Sequence, residues 1–196
     1  MKTARRTLLA TALILGALAS APALAAEPDW NAINGMSRPE FVERFGAIFE
    51  KSPWVAEGAW DARPFTSLDD LHQKMVAVVK YATIDRQLSL LRSHPDLAGK
   101  EAQAGAMTAS SVAEQASAGL NALSRDEVER LAGYNAEYKR KFGFPFLIAV
   151  RNHTKEGIFS LFKQRIGNDT VTELGNDLQQ VYTITRLRLD KLFADL

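Results

Sequence analysis

The 196-residue chain contains no cysteine. Disulfides, thiolate nucleophiles and cysteine-based zinc sites are therefore excluded. Histidine is scarce, with three residues and no H-E-x-x-H spacing, so no dedicated metal site is expected. No Walker loop, G-x-G-x-x-G fingerprint or G-x-S-x-G elbow occurs, which removes the commonest phosphate-cradling and serine-hydrolase signatures. Charge of one sign is lacking too. The 24 basic residues face 23 acidic ones, for a formal net charge of +1, so no nucleic-acid partner is implied. What remains open is acid–base chemistry by histidine and carboxylate, or binding alone.

The chain has one long, mostly apolar run. Lys2, Arg5 and Arg6 precede "LLATALILGALA" (8–19), and Ala23 and Ala25 follow in an A-x-A pattern. The run is short for a bilayer span. The order of basic, apolar and small residues is that of a cleavable secretory signal. The expectation is a signal peptide over 1–25, cut after Ala25 or Ala26, and a mature domain over 26–196; the alternative is an uncleaved anchor. Arg5-Arg6 leaves the general and twin-arginine export routes both open. The mature chain is then expected in the periplasm, with no membrane attachment after cleavage. Losing three basic residues and no acid takes its net charge from +1 to −2.

Beyond the leader the periodicity is helical. Phe41, Phe45, Ile48 and Phe49 share one face, as do Leu71, Met75, Val78 and Val79, with Leu88 and Leu91 further along. Val128 and Leu131 begin another stripe, and Ile158, Leu161 and Phe162 mark a short helix. Leu174, Leu178, Val181, Tyr182, Leu189 and Leu192 mark a long final one. Four S/T-x-x-E patterns, at Ser37, Ser111, Ser124 and Thr170, fit capping boxes. The segment 52–66 reads as an aromatic-rich connection. The only strand-like run is "FLIAV" (146–150), and one such run makes no sheet. The fold expected is all-α, one compact domain of about six to eight helices.

In "SLLRSHPDLAGK" (89–100) a leucine helix stops at His94-Pro95. A proline disfavours helical geometry at the residue before it, so the His94 ring is expected to stand clear of the helix. It could serve as a proton-transfer group, or only complement the helix dipole. Glu114 could orient such a histidine, or simply be the third residue of a capping box. A helix start at Ser111 would offer free N–H groups to an anion, with Ser111, Glu114 and Gln115 around it. Arg186 and Arg188 lie in the last helix, where one of them turned inward could clamp a carboxylate. His72 and His153 lack partner patterns and are read as surface residues. "KFGFPFLIAV" (141–150) is a rigid apolar turn, or a pocket wall whose backbone reads a planar polar ligand.

"FEKSPWVAEGAW" with "RPF", "LLRSHPDLAGK", "MTASSVAEQASAGL", "YNAEYKRKFGFPFLIAV" and "RLRLDKL" occur in this order over most of residues 37–193. In these segments the chain resembles the 2-oxo-4-hydroxy-4-carboxy-5-ureidoimidazoline (OHCU) decarboxylase family. The resemblance implies an all-helical homodimer without cofactor or metal. It implies that a small anionic ureidoimidazoline loses CO2 to give (S)-allantoin in urate breakdown. It carries catalysis onto His94 with Glu114. Substrate contacts fall on Pro95, on Ser111, Val112, Ala113, Glu114 and Gln115, and on Phe146, Leu147, Ile148, Ala149 and Val150. Arg188 completes the set through "RLDKL", with Arg186 as the fallback. The chain departs from the pattern in its export signal and in Tyr134, which stands where leucine is usual. The rival expectation is an exported ureide-binding protein that has lost turnover.

Overall fold

A computed structural model describes residues 28–195; the leader lies outside them. These residues form ten α-helices, one 3-10 turn and no strand. The helices are α1 (Trp30–Gly35), α2 (Arg38–Phe45), α3 (Trp54–Trp60), α4 (Leu68–Lys80), α5 (Ile84–Arg92), α6 (Lys100–Gln103), α7 (Ala109–Ser117), α8 (Arg125–Phe142), α9 (Lys155–Arg165) and α10 (Thr170–Ala194); the 3-10 turn spans Val150–Asn152. Eight of the ten have seven or more residues; apolar periodicity anticipates six of these and a capping pattern anticipates α7, which leaves α3. The segment 52–66 is not merely a connection, because its middle is α3.

Helix starts follow side-chain chemistry. Ser37 and Ser124 form the expected capping boxes, with Glu40 and Glu127 each accepting from the cap N–H at 2.8 Å. The other two boxes do not form. α7 begins earlier, at the Thr108 cap, whose hydroxyl accepts from Ser111 N–H at 3.3 Å. α10 begins at Asp169, whose carboxylate accepts from Val171 and Thr172. An ionised cap accepts more strongly than a hydroxyl one residue later. α8 ends at Gly143, with φ +79°, a left-handed cap that a side chain would oppose.

Two aromatic clusters fill the core. Phe41 packs on Phe45 and Phe65 with ring centroids 4.6 and 5.5 Å away. Tyr138, Phe142, Phe144, Phe146 and Phe162 form the second, where Phe146 stacks on Phe162 at 3.8 Å. α10 crosses α4, α5 and α8. Its most buried positions are only partly the expected apolar stripe. They include Glu173, Asp177, Thr185 and Arg188 beside Val181, Ile184 and Leu189. Unpaired charge is not tolerated inside a fold, so this face must carry built polar networks.

Candidate active site

His94 lies just past α5. Its backbone N–H still reaches the Leu91 carbonyl at 3.2 Å. The ring does not stand clear of the helix as expected. It folds back so that Nδ1 lies 2.9 Å from the Leu90 carbonyl. A carbonyl only accepts, so Nδ1 carries the proton and Nε2 keeps its lone pair. Nε2 is buried and has no hydrogen-bond partner. Burial pushes the imidazole down to about 4, against the Leu90 hydrogen bond and the Glu50 charge, which raise it, and with Arg188, which lowers it. His94 is thus a neutral base with an unused lone pair.

The chain around it is held on several sides. Gln115 accepts from Ala98 N–H at 2.8 Å and donates to the Asp96 carbonyl at 3.2 Å. Asn135 donates to the Leu97 carbonyl at 2.9 Å, and Lys139 pairs with the Asp96 carboxylate at 2.8 Å. These partners on α7 and α8 fix a stretch with no regular structure of its own.

Next to His94 sits a buried charge cluster centred on Arg188. Its Nε and Nη2 donate to the two Glu114 oxygens at 2.7 and 2.8 Å. Its Nη1 donates to Glu50 at 2.9 Å and reaches the Ile48 carbonyl at 3.3 Å. Glu50 also accepts from Thr108 at 2.8 Å and from Ser111 at 3.1 Å. Burial opposes the charge on Glu50, but Arg188, Thr108 and His94 outweigh it and hold the carboxyl below its usual range. Burial likewise opposes the charge on Arg188, and the two glutamates more than restore it.

Two expectations are corrected here. No hydrogen bond joins Glu114 to His94. The Leu90 carbonyl orients the ring, while Arg188 binds Glu114 in a fork. Nor is Arg188 a free clamp, because its donors are already directed at Glu114, Glu50, Ser111 and Ile48. Arg186 turns away from this site and pairs with Asp190 and Asp69.

A small cavity adjoins these groups. His94, Pro95, Ser111, Glu114, Gln115, Phe146, Leu147, Ile148 and Val150 line it, together with Leu97 and Ile184. Val112 and Ala113 are exposed and do not line it, since helical geometry turns positions 112 and 113 away from 111, 114 and 115. Ala149 does not line it either. Its N–H is taken by Gln180 at 2.9 Å, and the Leu147 N–H by Asp177 at 3.0 Å.

The segment 146–150 is anchored from behind. Arg165 donates to the Leu147 carbonyl at 2.9 Å and to Asp177 at 2.6 Å. Tyr138 and Arg165 both donate to Glu173. Arg92 ties the preceding turn to α5 through the Gly143 carbonyl at 2.8 Å.

Glu50 is the residue that sequence reasoning overlooks. It follows the last residue of the 41–49 apolar stripe, beyond the end of α2, and looks in sequence like an ordinary surface acid. Ser93, beside His94, donates to its backbone carbonyl at 2.7 Å and so draws residue 50 to residue 94. Lys51 then takes a left-handed backbone, φ 46°, an uncommon choice for a side-chain-bearing residue. His72 is also misread. It is half-buried, with Nε2 3.1 Å from the Thr185 hydroxyl. Among the described residues, no cluster of three or more His, Asp or Glu side chains is arranged to hold a metal ion.

Known proteins share this arrangement of sequence. The profile of a family described as OHCU decarboxylase matches residues 34–190. The 2-oxo-4-hydroxy-4-carboxy-5-ureidoimidazoline decarboxylase of Haloferax volcanii is 42% identical over 162 residues, covering 83% of this chain and 94% of that one. The protein of the same name from Amia calva is 38% identical over 164 residues, covering 84% and 94%. A crystal structure of (S)-allantoin synthase superposes with a TM-score of 0.67 at 27% identity, over 83% of this chain. This chain spans 53% of that one, about half its length.

Proposed function

The chain belongs to the OHCU decarboxylase family, and on that premise we propose that the His94 cavity decarboxylates 2-oxo-4-hydroxy-4-carboxy-5-ureidoimidazoline to (S)-allantoin and CO2. The observation that carries this reading is the neutral, buried His94, whose Nε2 has no protein partner. The substrate's carboxylate leaves a carbon that also bears a hydroxyl and neighbours a C=N bond. His94 Nε2 takes the hydroxyl proton. The C–C bond breaks, CO2 departs, and the electron pair flows into the imine, so the ring itself is the electron sink. One proton returns to the ring carbon on one face. The second, from solvent, reaches the ring nitrogen, and the hydroxyl carbon becomes the carbonyl of allantoin.

The protein contributes position and charge. Ser111 and Gln115 line the cavity beside His94 and offer polar contacts to a ureido arm. The Arg188 cluster holds one cation between two carboxylates. A substrate carboxylate beside that cluster faces net negative charge, which favours its departure as neutral CO2. Glu114 and Arg188 are positioning groups in this scheme, and His94 is the catalytic base.

The test generates the unstable substrate with urate oxidase and the hydrolase, then follows circular dichroism as allantoin forms. Wild type should give optically active allantoin well above the racemic background. His94→Asn should lower the rate by roughly 10² to 10⁴. Full turnover in that variant would sink the assignment. Thermal stabilisation by allantoin without any CO2 release would leave ligand binding alone.

Three finer features complete the proposal. The leader over 1–25 is removed on export, which N-terminal sequencing of periplasmic protein would read. The mature chain works as a homodimer, which light scattering would measure. Turnover needs no cofactor or metal, so extensive dialysis against a chelator should leave the rate unchanged.

A further inference from the structure

The cavity at His94 does not end at Glu114. A narrow throat lined by Glu114, Ile148, Ala149, Val150, Arg151, Ile184 and Leu187 adjoins it. Four of these residues, Glu114, Ile148, Val150 and Ile184, also line the His94 cavity. Glu114, Arg151 and Leu187 also line a groove between α2, α7 and α10. Cavity, throat and groove therefore lie side by side, with Glu114 common to all three.

The groove is cationic. Arg44, Arg151, Arg188 and Lys191 line it, against the single acid Glu114. Two of these cations are already committed: Arg188 to its two glutamates and Lys191 to Asp195, at 2.7 Å. Arg44 and Arg151 have no carboxylate partner among the described residues. The Arg44 Nε is buried without any hydrogen-bond acceptor, and Arg151 stands exposed at the throat. This contrasts with the net −2 expected of the mature chain, so the positive charge is a local feature of the groove.

A substrate bearing a carboxylate meets an asymmetry along this path. Inside, the guanidinium of Arg188 is consumed by Glu50 and Glu114. Outside, two guanidinium groups are free. Clefts lined by one sign of charge raise the local concentration of the opposite sign and speed association by roughly 10- to 1,000-fold. We propose that the groove in which Arg44 and Arg151 are free is an anion-capture vestibule that takes the substrate by its carboxylate and passes it by way of Arg151 to His94. This inference rests on the carboxylated-ureide reading of the His94 cavity.

The experiment compares two stable ureides, hydantoate, which carries a carboxylate, and (S)-allantoin, which is uncharged. Binding of each is measured by calorimetry to wild type and to an Arg151→Glu/Lys191→Glu variant, at about 20 mM and about 300 mM ionic strength, where screening lengths differ severalfold. Both substituted side chains are exposed, so the fold should survive. Hydantoate should bind wild type and weaken roughly tenfold in the variant at low salt, with the gap closing at high salt. Allantoin affinity should not change. In turnover, kcat/KM should fall with salt in wild type and drop in the variant, at unchanged kcat. The proposal is overturned if hydantoate does not bind, if both ureides weaken together, or if the variant lowers kcat instead. Salt- and charge-dependent hydantoate binding with no CO2 release would keep the vestibule and sink only the decarboxylase reading.

Discussion

A histidine held neutral by burial leaves a trace in stability as well as in rate. The His94 imidazole titrates at about 4 in the fold and near 6.5 when unfolded. Between those values the unfolded chain binds the extra proton. Stability therefore falls as pH drops from about 6.5 toward about 4, and is insensitive to this group above 6.5. The loss is on the order of a few kcal/mol. His94→Asn can keep a donor to the Leu90 carbonyl and has nothing to protonate, so urea denaturation at pH 7 and pH 4.5 should show a smaller difference than in wild type. An equal difference would mean that His94 is not the buried neutral group. Glu50 tests the same site from the other side. Its charge raises the His94 pKa, so Glu50→Gln should move the acid limb of kcat/KM to lower pH. The variant should also be less stable by about 2 kcal/mol, since Arg188 loses a charged acceptor. An acid limb that stays in place would separate Glu50 from His94 electrostatically.

α10 organises the molecule through charge more than through its apolar stripe. Asp177 accepts from the Leu147 N–H and from Arg165, so Asp177→Ala leaves a buried guanidinium and a buried amide without that acceptor. Breaking a buried pair costs about 3–5 kcal/mol, or roughly 10 °C in Tm for a chain of this size. The pocket wall at 146–150 should loosen with it, which amide exchange at Leu147 and Ile148 would detect as lost protection; unchanged exchange would count against the anchoring role. This element also marks where sequence reading stops. Leu174, Leu178 and Tyr182 are visible as a stripe because apolar periodicity needs only local spacing. Glu173 and Asp177 sit in the most buried register yet resemble solvated acids, because their partners Arg165 and Tyr138 come from other helices. The helix start at Asp169 has a local cause, because aspartate caps more strongly than the threonine beside it.

At the scale of the whole chain, the site joins residue 50, residue 94, residues 111 to 115 and residue 188, which no local pattern relates. The all-helical class is legible because it follows from periodicity, whereas the short α1, α3 and α6 carry too few turns to show a stripe. His94, Ser111, Glu114 and Arg188 were singled out through residue type and family resemblance. The Arg188–Glu50 pair was not, because 138 residues separate its partners and nothing in "FEKSPW" distinguishes Glu50 from a surface acid. The same assembly makes ligand binding and folding one equilibrium. A ligand that needs α5, α7 and α10 together binds only the native state. (S)-Allantoin at about 100 times its Kd should therefore stabilise the protein by about 2.7 kcal/mol, or about 5–10 °C in Tm. Arg188→Met removes the cation that reconciles Glu50 with Glu114. Two buried carboxylates then face each other, so the unliganded Tm should fall and the allantoin shift should vanish. Differential scanning fluorimetry of both proteins, with and without allantoin, reads both effects. A full allantoin shift in Arg188→Met would mean that the ligand seats independently of the charge cluster, and the cavity beside His94 would no longer be its site.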